Sequence, residues 1–148
     1  MFSTVGGFFR QFELVLIAAD ERDVVRLRTN LRREDVRLFP VKLKPEQMRI
    51  LLISYLDLGN SLADQPQFYN TVTANCTSTV YRLVQTIKPD MPLDIRLLLS
   101  GRLPEYINEL GGLQGDLPMD QRRLAAAITA KAQGIGPDQD YSALIRQP

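Results

Sequence analysis

The order of patterns along this chain predicts an α+β fold, with short apolar strands first and helical segments after. Two observations carry that expectation. Residues 12–43 contain runs with the length or the two-residue alternation of strands, and from Pro45 the apolar spacing changes to that of helices. A small, mainly antiparallel sheet near the N-terminus, packed against several helices, is the simplest product.

The individual elements follow in order. "FELVLIAA", residues 12–19, has the apolar content of a buried strand. "DVVRLRT", residues 23–29, sets Val25, Leu27 and Thr29 against Val24, Arg26 and Arg28 and reads as a half-exposed strand, with a short helix as the alternative. "DVRLFPVKL", residues 35–43, alternates again, and Pro40, which has no N–H, assigns it to an edge. Beyond Pro45, the residues Met48, Leu51, Leu52, Tyr55, Leu56 and Leu62 share one face of a long helix. Pro45 suits its first turn, and Gly59 inside it reads as a close helix contact. After a loop, a second helix runs from Cys76 to about Ile87. Two short helices stopped by glycine, an alanine-rich helix over 117–134 and a final turn at "YSALIRQP" complete the chain.

Composition narrows the function classes. The chain has 148 residues, a net charge of +1, 45% hydrophobic residues, one cysteine and no histidine. That length suits one domain with a real core. Near-neutral charge gives no bulk attraction to nucleic acid or anionic membranes. A lone cysteine excludes an internal disulfide and a cysteine-based zinc site, so neither a metal nor another cofactor is expected. The longest apolar run, "LVLIAA", is too short to span a membrane, and the N-terminus lacks the pattern of a signal peptide.

The cysteine lies in "FYNTVTANCTSTVYRLVQTI", residues 68–87. Asn75 is a favoured N-cap type, which makes Cys76 the first residue of its helix. A thiol there feels the positive end of the helix dipole, and first-turn N–H groups could hold an oxyanion, with the Thr77 and Ser78 hydroxyls beside them. Spacing supports a second reading. Cys76 falls four residues before Val80, on the stripe Val80, Leu83, Val84 and Ile87, where an unreactive core cysteine would sit. A nucleophilic cysteine also needs a base, and this chain has no imidazole to offer.

Several motifs together carry a resemblance: "RTNLRREDVRLF" at 28–39, the "PE" helix start at 45–46, "FYNT" at 68–71 and "NCT" at 75–77. Over residues 2–113 the chain resembles the Lnb N-terminal periplasmic domain family, long described as a domain of unknown function. The resemblance implies a permuted papain-like thiol fold, and acyl transfer or amide hydrolysis through a cysteine thioester. Cys76 then matches the nucleophile, with Asn75 and Thr77 as its flanks. It further implies a periplasmic or membrane-associated parent protein and an acyl-lipid or lipoprotein substrate. The family's histidine falls upstream of the matched part. Residues 1–113 are accordingly expected to be the C-terminal portion of such a domain, inactive alone, with 114–148 a helical extension packing on it. A non-catalytic structural or interaction module is the alternative.

Other signals are weaker. Tyr69 and Asn70 could line the cleft of Cys76 or simply anchor their loop. Arg26, Arg28, Arg32, Arg33 and Arg37 could bind an anion, although a solvated face is the plainer reading, and Arg28 and Asn30 stand out because they lie in the family-like segment. Asp20, Glu21 and Asp23 read as a polar turn, and Gly6-Gly7 as another. An apolar face uncovered along "GGFFRQFELVLIAA" would favour a homodimer.

Overall fold

The computed structural model describes residues 12–70, 73–97 and 100–147, and these divide into two compact units. Gly6-Gly7, Phe8, Phe9 and Thr71, on which parts of the sequence reading rest, lie outside the described residues.

The first unit comprises residues up to Leu16 together with Lys42–Gly112. Its N-terminal segment is extended and pairs briefly with residues 67–69. Leu14 N–H donates to Gln67 O at 2.7 Å, Tyr69 N–H donates to Phe12 O at 2.7 Å, and Glu13 bridges Phe68. The long helix follows as Pro45–Asp64, which in chain order is α2 because a short helix in the second unit (α1, below) precedes it. Pro45 occupies its first turn, and Lys44 N–H donates to Gln47 Oε1 at 2.9 Å, satisfying one donor at the helix start. Cys76–Gln85 is α3, held at its start by Asn75. Two 3₁₀ turns, Ile95–Leu97 and Ser100–Arg102, lead into α4, Leu103–Glu109.

The core of this unit gathers Met91, Leu97 and Tyr106, with Tyr81, Val84, Leu103 and Leu110 packed against them. Buried phenols need partners for their hydroxyls. Tyr81 Oη donates to Met91 O at 2.9 Å, and Tyr106 Oη donates to Pro92 O. Arg96 lies over the Tyr106 ring, 5.1 Å from its centroid, and binds Asp94 at 2.8 Å and Glu109 at 2.7 Å. After α4 the chain turns through Gly111 at φ +68°. A Cβ on Gly112 would meet Ile107 Cγ2 at 2.9 Å and Ile107 O at 3.2 Å, so the close return of the backbone there requires glycine.

The second unit comprises Ile17–Val41 and Leu113–Pro148. It opens with α1, Glu21–Arg26, whose N-cap Asp20 accepts from Arg22 N–H at 2.8 Å. The helix widens into a π-turn over Leu27–Leu31, and Arg33 then takes a left-handed conformation at φ 54°. Residues 35–41 run extended. The remaining helices are α5, Met119–Ala125, α6, Thr129–Gly134, and α7, Tyr141–Leu144. Ile128, Ala132, Ile135, Tyr141 and Ile145 form the core here, joined by Val25, Val36, Leu38 and Leu144. The C-terminal turn is docked, since Ile145 is 1% exposed.

The expected α+β fold with an antiparallel sheet is corrected. Among the described residues there is no sheet, only isolated bridges at Glu13–Phe68, Asn70–Ala74, Arg37–Ala127 and Val41–Leu113. Residues 23–29 are helical because their alternation is degenerate. Val25 and Thr29 are also four apart, and the capped, acidic start at Asp20, Glu21 and Asp23 favours a helix N-terminus. Residues 35–43 are extended as expected, but their partners are short loop stretches. Leu38 N–H donates to Ala126 O at 2.8 Å, Ile128 N–H to Val36 O at 3.1 Å, and Gln114 N–H to Pro40 O at 2.9 Å. The same pairing splits the alanine-rich helix, because Ala126 and Ile128 give backbone groups to this segment.

Candidate active site

The chemistry of interest begins at α3. Asn75 sits in extended backbone with its side chain buried, and its Oδ1 accepts from Thr77 N–H at 2.9 Å and Ser78 N–H at 2.8 Å. Its own N–H donates to Ser78 Oγ at 2.8 Å, closing a reciprocal capping box. Thr79 N–H donates to Asn75 O at 3.0 Å. The first-turn amides expected to be available as oxyanion donors are therefore mostly engaged. Among the described residues Cys76 N–H is the exception, with no hydrogen-bond acceptor.

The Cys76 side chain is exposed, and so is Val80 one turn further on. The stripe that spacing assigned to the core is thus open at its N-terminal end, and the thiol does not occupy a core position. Its sulfur lies 3.9 Å from Thr77 Oγ1.

The loop before α3 folds back on itself. Asn70 and Ala74 exchange two backbone hydrogen bonds, each 3.0 Å, and Asn70 Oδ1 accepts from Thr73 N–H at 2.9 Å. This reversal brings Tyr69 to the start of the cysteine helix. Burial pushes the Tyr69 phenol above its ordinary range, and negative charge on Cys76 pushes it the same way, so the two groups feel each other. Of the residues singled out by sequence, Tyr69, Asn70, Asn75, Cys76 and Thr77 are brought together.

Arg28 and Asn30 belong to the second unit and find partners there. Arg28 pairs with Glu34 at 3.1 Å, and Asn30 Oδ1 lies 2.8 Å from the Thr29 hydroxyl. Arg32 also approaches Glu34, and Arg37 binds Asp35 at 2.9 Å, so much of the arginine run is neutralised locally. Glu21 is not a polar-turn residue alone. Arg146 binds it at 2.7 Å and holds its carboxyl below the usual range, with Ser142 donating at 2.6 Å. Among the described residues no group of histidine, cysteine or carboxylate side chains is arranged to hold a metal ion.

Sequence reading missed one feature near the thiol. A cleft of about 530 Å³ runs along another side of α3, lined by Thr73, Ser78, Tyr81, Arg82, Asp94 and Leu97 among others. Its far wall comes from residues some 15 positions downstream, which helical spacing within α3 cannot announce. Cys76 does not line this cleft.

The structure thus presents an exposed thiol on the first residue of a capped helix. Residues 1–101 match the family model of the Lnb N-terminal periplasmic domain, and the chain belongs to that family. No curated protein and no solved structure matches it. No helix among the described residues is long and apolar enough to cross a membrane.

Proposed function

We propose that the chain is a thiol-dependent acyl-transfer domain, an acyltransferase or amidohydrolase, in which Cys76 is the nucleophile. The observation that carries this reading is the exposed Cys76 Sγ on the first residue of a helix whose Asn75 cap is buried. The thiolate attacks an acyl carbonyl, the C–S bond forms, and the carbonyl electron pair moves onto oxygen. Collapse then expels the alcohol or amine and leaves a thioester. The helix terminus favours the oxyanion.

Working in the periplasm on an acyl-lipid or lipoprotein donor is part of this proposal, and it rests on the family. The 148 residues contain no histidine, so any imidazole base is supplied from outside them. Above about pH 9 an ordinary thiol ionises without a base, and the nucleophile can be tested on its own. With a p-nitrophenyl acyl ester at that pH, p-nitrophenolate should appear as a burst of about one equivalent per chain. Cys76→Ala should remove the burst. Equal release by wild type and Cys76→Ala would sink the nucleophile and leave the non-catalytic interaction module as the surviving reading.

A further inference from the structure

The second unit carries a cavity of about 560 Å³, walled by residues 38–41, the loop after Leu113, α5 and the C-terminal turn. All of these walls belong to that one unit. The volume falls within the roughly 300–1,000 Å³ usual for small-molecule pockets. Leu38, Pro40, Leu117, Ala125 and Ile128 help to make the lining chiefly apolar.

Two arginines, Arg122 and Arg146, also line the cavity, and they differ in their partners. Arg146 is neutralised by Glu21 at 2.7 Å. Arg122 is half-buried and is held by backbone carbonyls alone. Its Nε–H donates to Leu117 O at 2.7 Å, and its two Nη groups donate to Gln114 O and Gly115 O. Among the described residues it forms no ion pair, not even with Asp116 or Asp120, the acidic residues nearest to it in sequence. A guanidinium has five N–H donors, so one remains on each Nη. Carbonyl dipoles satisfy donors but do not cancel the charge. Beside apolar walls an uncancelled charge is costly, and an anion that pairs with it there gains more than it would in water.

We propose that this cavity binds a single aliphatic chain ending in a carboxylate. The chain lies against the apolar walls, and the carboxylate takes the two remaining N–H groups of Arg122. One donor on each Nη suits the two oxygens of a carboxylate in a fork-to-fork pair. The three carbonyls already hold the guanidinium in place, so a ligand has little left to order. The combination selects against neutral chains and against cations. The site belongs to the unit that lacks Cys76 and does not depend on the acyl-transfer reading.

Calorimetric titration of the full 148-residue chain with sodium octanoate, 1-octanol and octylammonium tests the site at about pH 7, where the carboxyl is ionised. Octanoate should bind once per chain, at least about tenfold more tightly than octanol or octylammonium, as a charge-assisted pair provides. Arg122→Gln should remove that preference, and Arg122→Lys should keep part of it. Ala125 is exposed on α5 and lines the cavity. Ala125→Phe should therefore fill the space and abolish octanoate binding with the melting temperature unchanged. Octanoate bound no better than octylammonium overturns the proposal. Full octanoate affinity in Arg122→Gln or in Ala125→Phe also overturns it, because the ligand then sits elsewhere. Octyl phosphate bound more tightly than octanoate overturns the carboxylate head group. If Arg122→Gln unfolds the unit, the Ala125→Phe titration decides.

Discussion

At the scale of single residues, Asn75 carries more of the site than Cys76 does. Its buried amide oxygen satisfies two helix-terminal donors, and its backbone N–H and C=O close the box with Ser78 and Thr79. Replacing it with alanine leaves those donors without their partner, and Asn75→Ala should lower unfolding free energy by about 0.5–2 kcal/mol in a denaturant titration. Asn75→Asp, which keeps the accepting oxygen, should recover most of that loss. The cap was legible in the sequence because asparagine before a polar turn and an apolar stripe is a strong local pattern. The exposure of Cys76 was not, because spacing shows which residues share a face and not whether anything covers it.

Ile145 makes the corresponding case for the second unit. It is 1% exposed in the core with Ala132 and Tyr141, where the sequence pattern indicated no more than a final turn at "YSALIRQP". Ile145→Ala should cost about 2–5 kcal/mol, measured as a shift in the denaturation midpoint. A change below 0.5 kcal/mol, well under the usual range for a buried isoleucine, would mean that the C-terminal turn does not belong to this core.

At the scale of elements, α2 and α3 followed directly from periodicity and their N-terminal residues, whereas 23–29 misled because alternation and helical spacing coincide over so short a stretch. Gly59 had suggested a close helix contact. The nearest atom to a Cβ placed there is Leu16 Cδ1 at 4.0 Å, an ordinary contact, so no close approach requires the glycine. Gly59→Ala should therefore stabilise the chain by up to about 1 kcal/mol through helix propensity, raising the melting temperature. A lower melting temperature would contradict the packing described around α2.

The ion cluster that ties the first 3₁₀ turn to α4 has its own pH signature. Hydrogen bonds from Arg96 hold the Asp94 carboxyl down to about 2, and they also depress Glu109. A carboxyl lowered on folding contributes stability above its unfolded value, and that contribution is lost as pH falls toward the folded value. The melting-temperature difference between wild type and Arg96→Met should thus be full above about pH 4.5 and should shrink as pH drops toward 2. A difference independent of pH over that window would show that the arginine acts through packing on Tyr106 instead.

At the scale of the molecule, each unit builds its own core, and long-range pairing that local sequence does not reveal decides what lies where. Residues 35–41 and 113–128 find each other through single bridges, which is why strand-like segments produced no sheet. The first unit also leaves a large apolar stripe on α2 open: Met48, Leu52 and Leu56, spaced four apart, are each more than half exposed. An apolar fluorescent dye should bind the chain, and Leu52→Glu with Leu56→Lys should reduce that binding without unfolding α2. The face anticipated along residues 6–19 lies partly outside the described residues, and within them Val15 and Ile17 are exposed as well.

The central claim is that Cys76 becomes acylated, and peptide mapping after reaction with an activated acyl ester tests it most directly. After brief incubation at about pH 9, where an ordinary thiol is ionised, and digestion under acidic conditions, the peptide containing residues 73–82 should carry one acyl group on Cys76. Neutral hydroxylamine should remove that group, as expected of a thioester. An acyl group found on lysine or serine side chains, with Cys76 unmodified yet readily alkylated by iodoacetamide, would contradict the account.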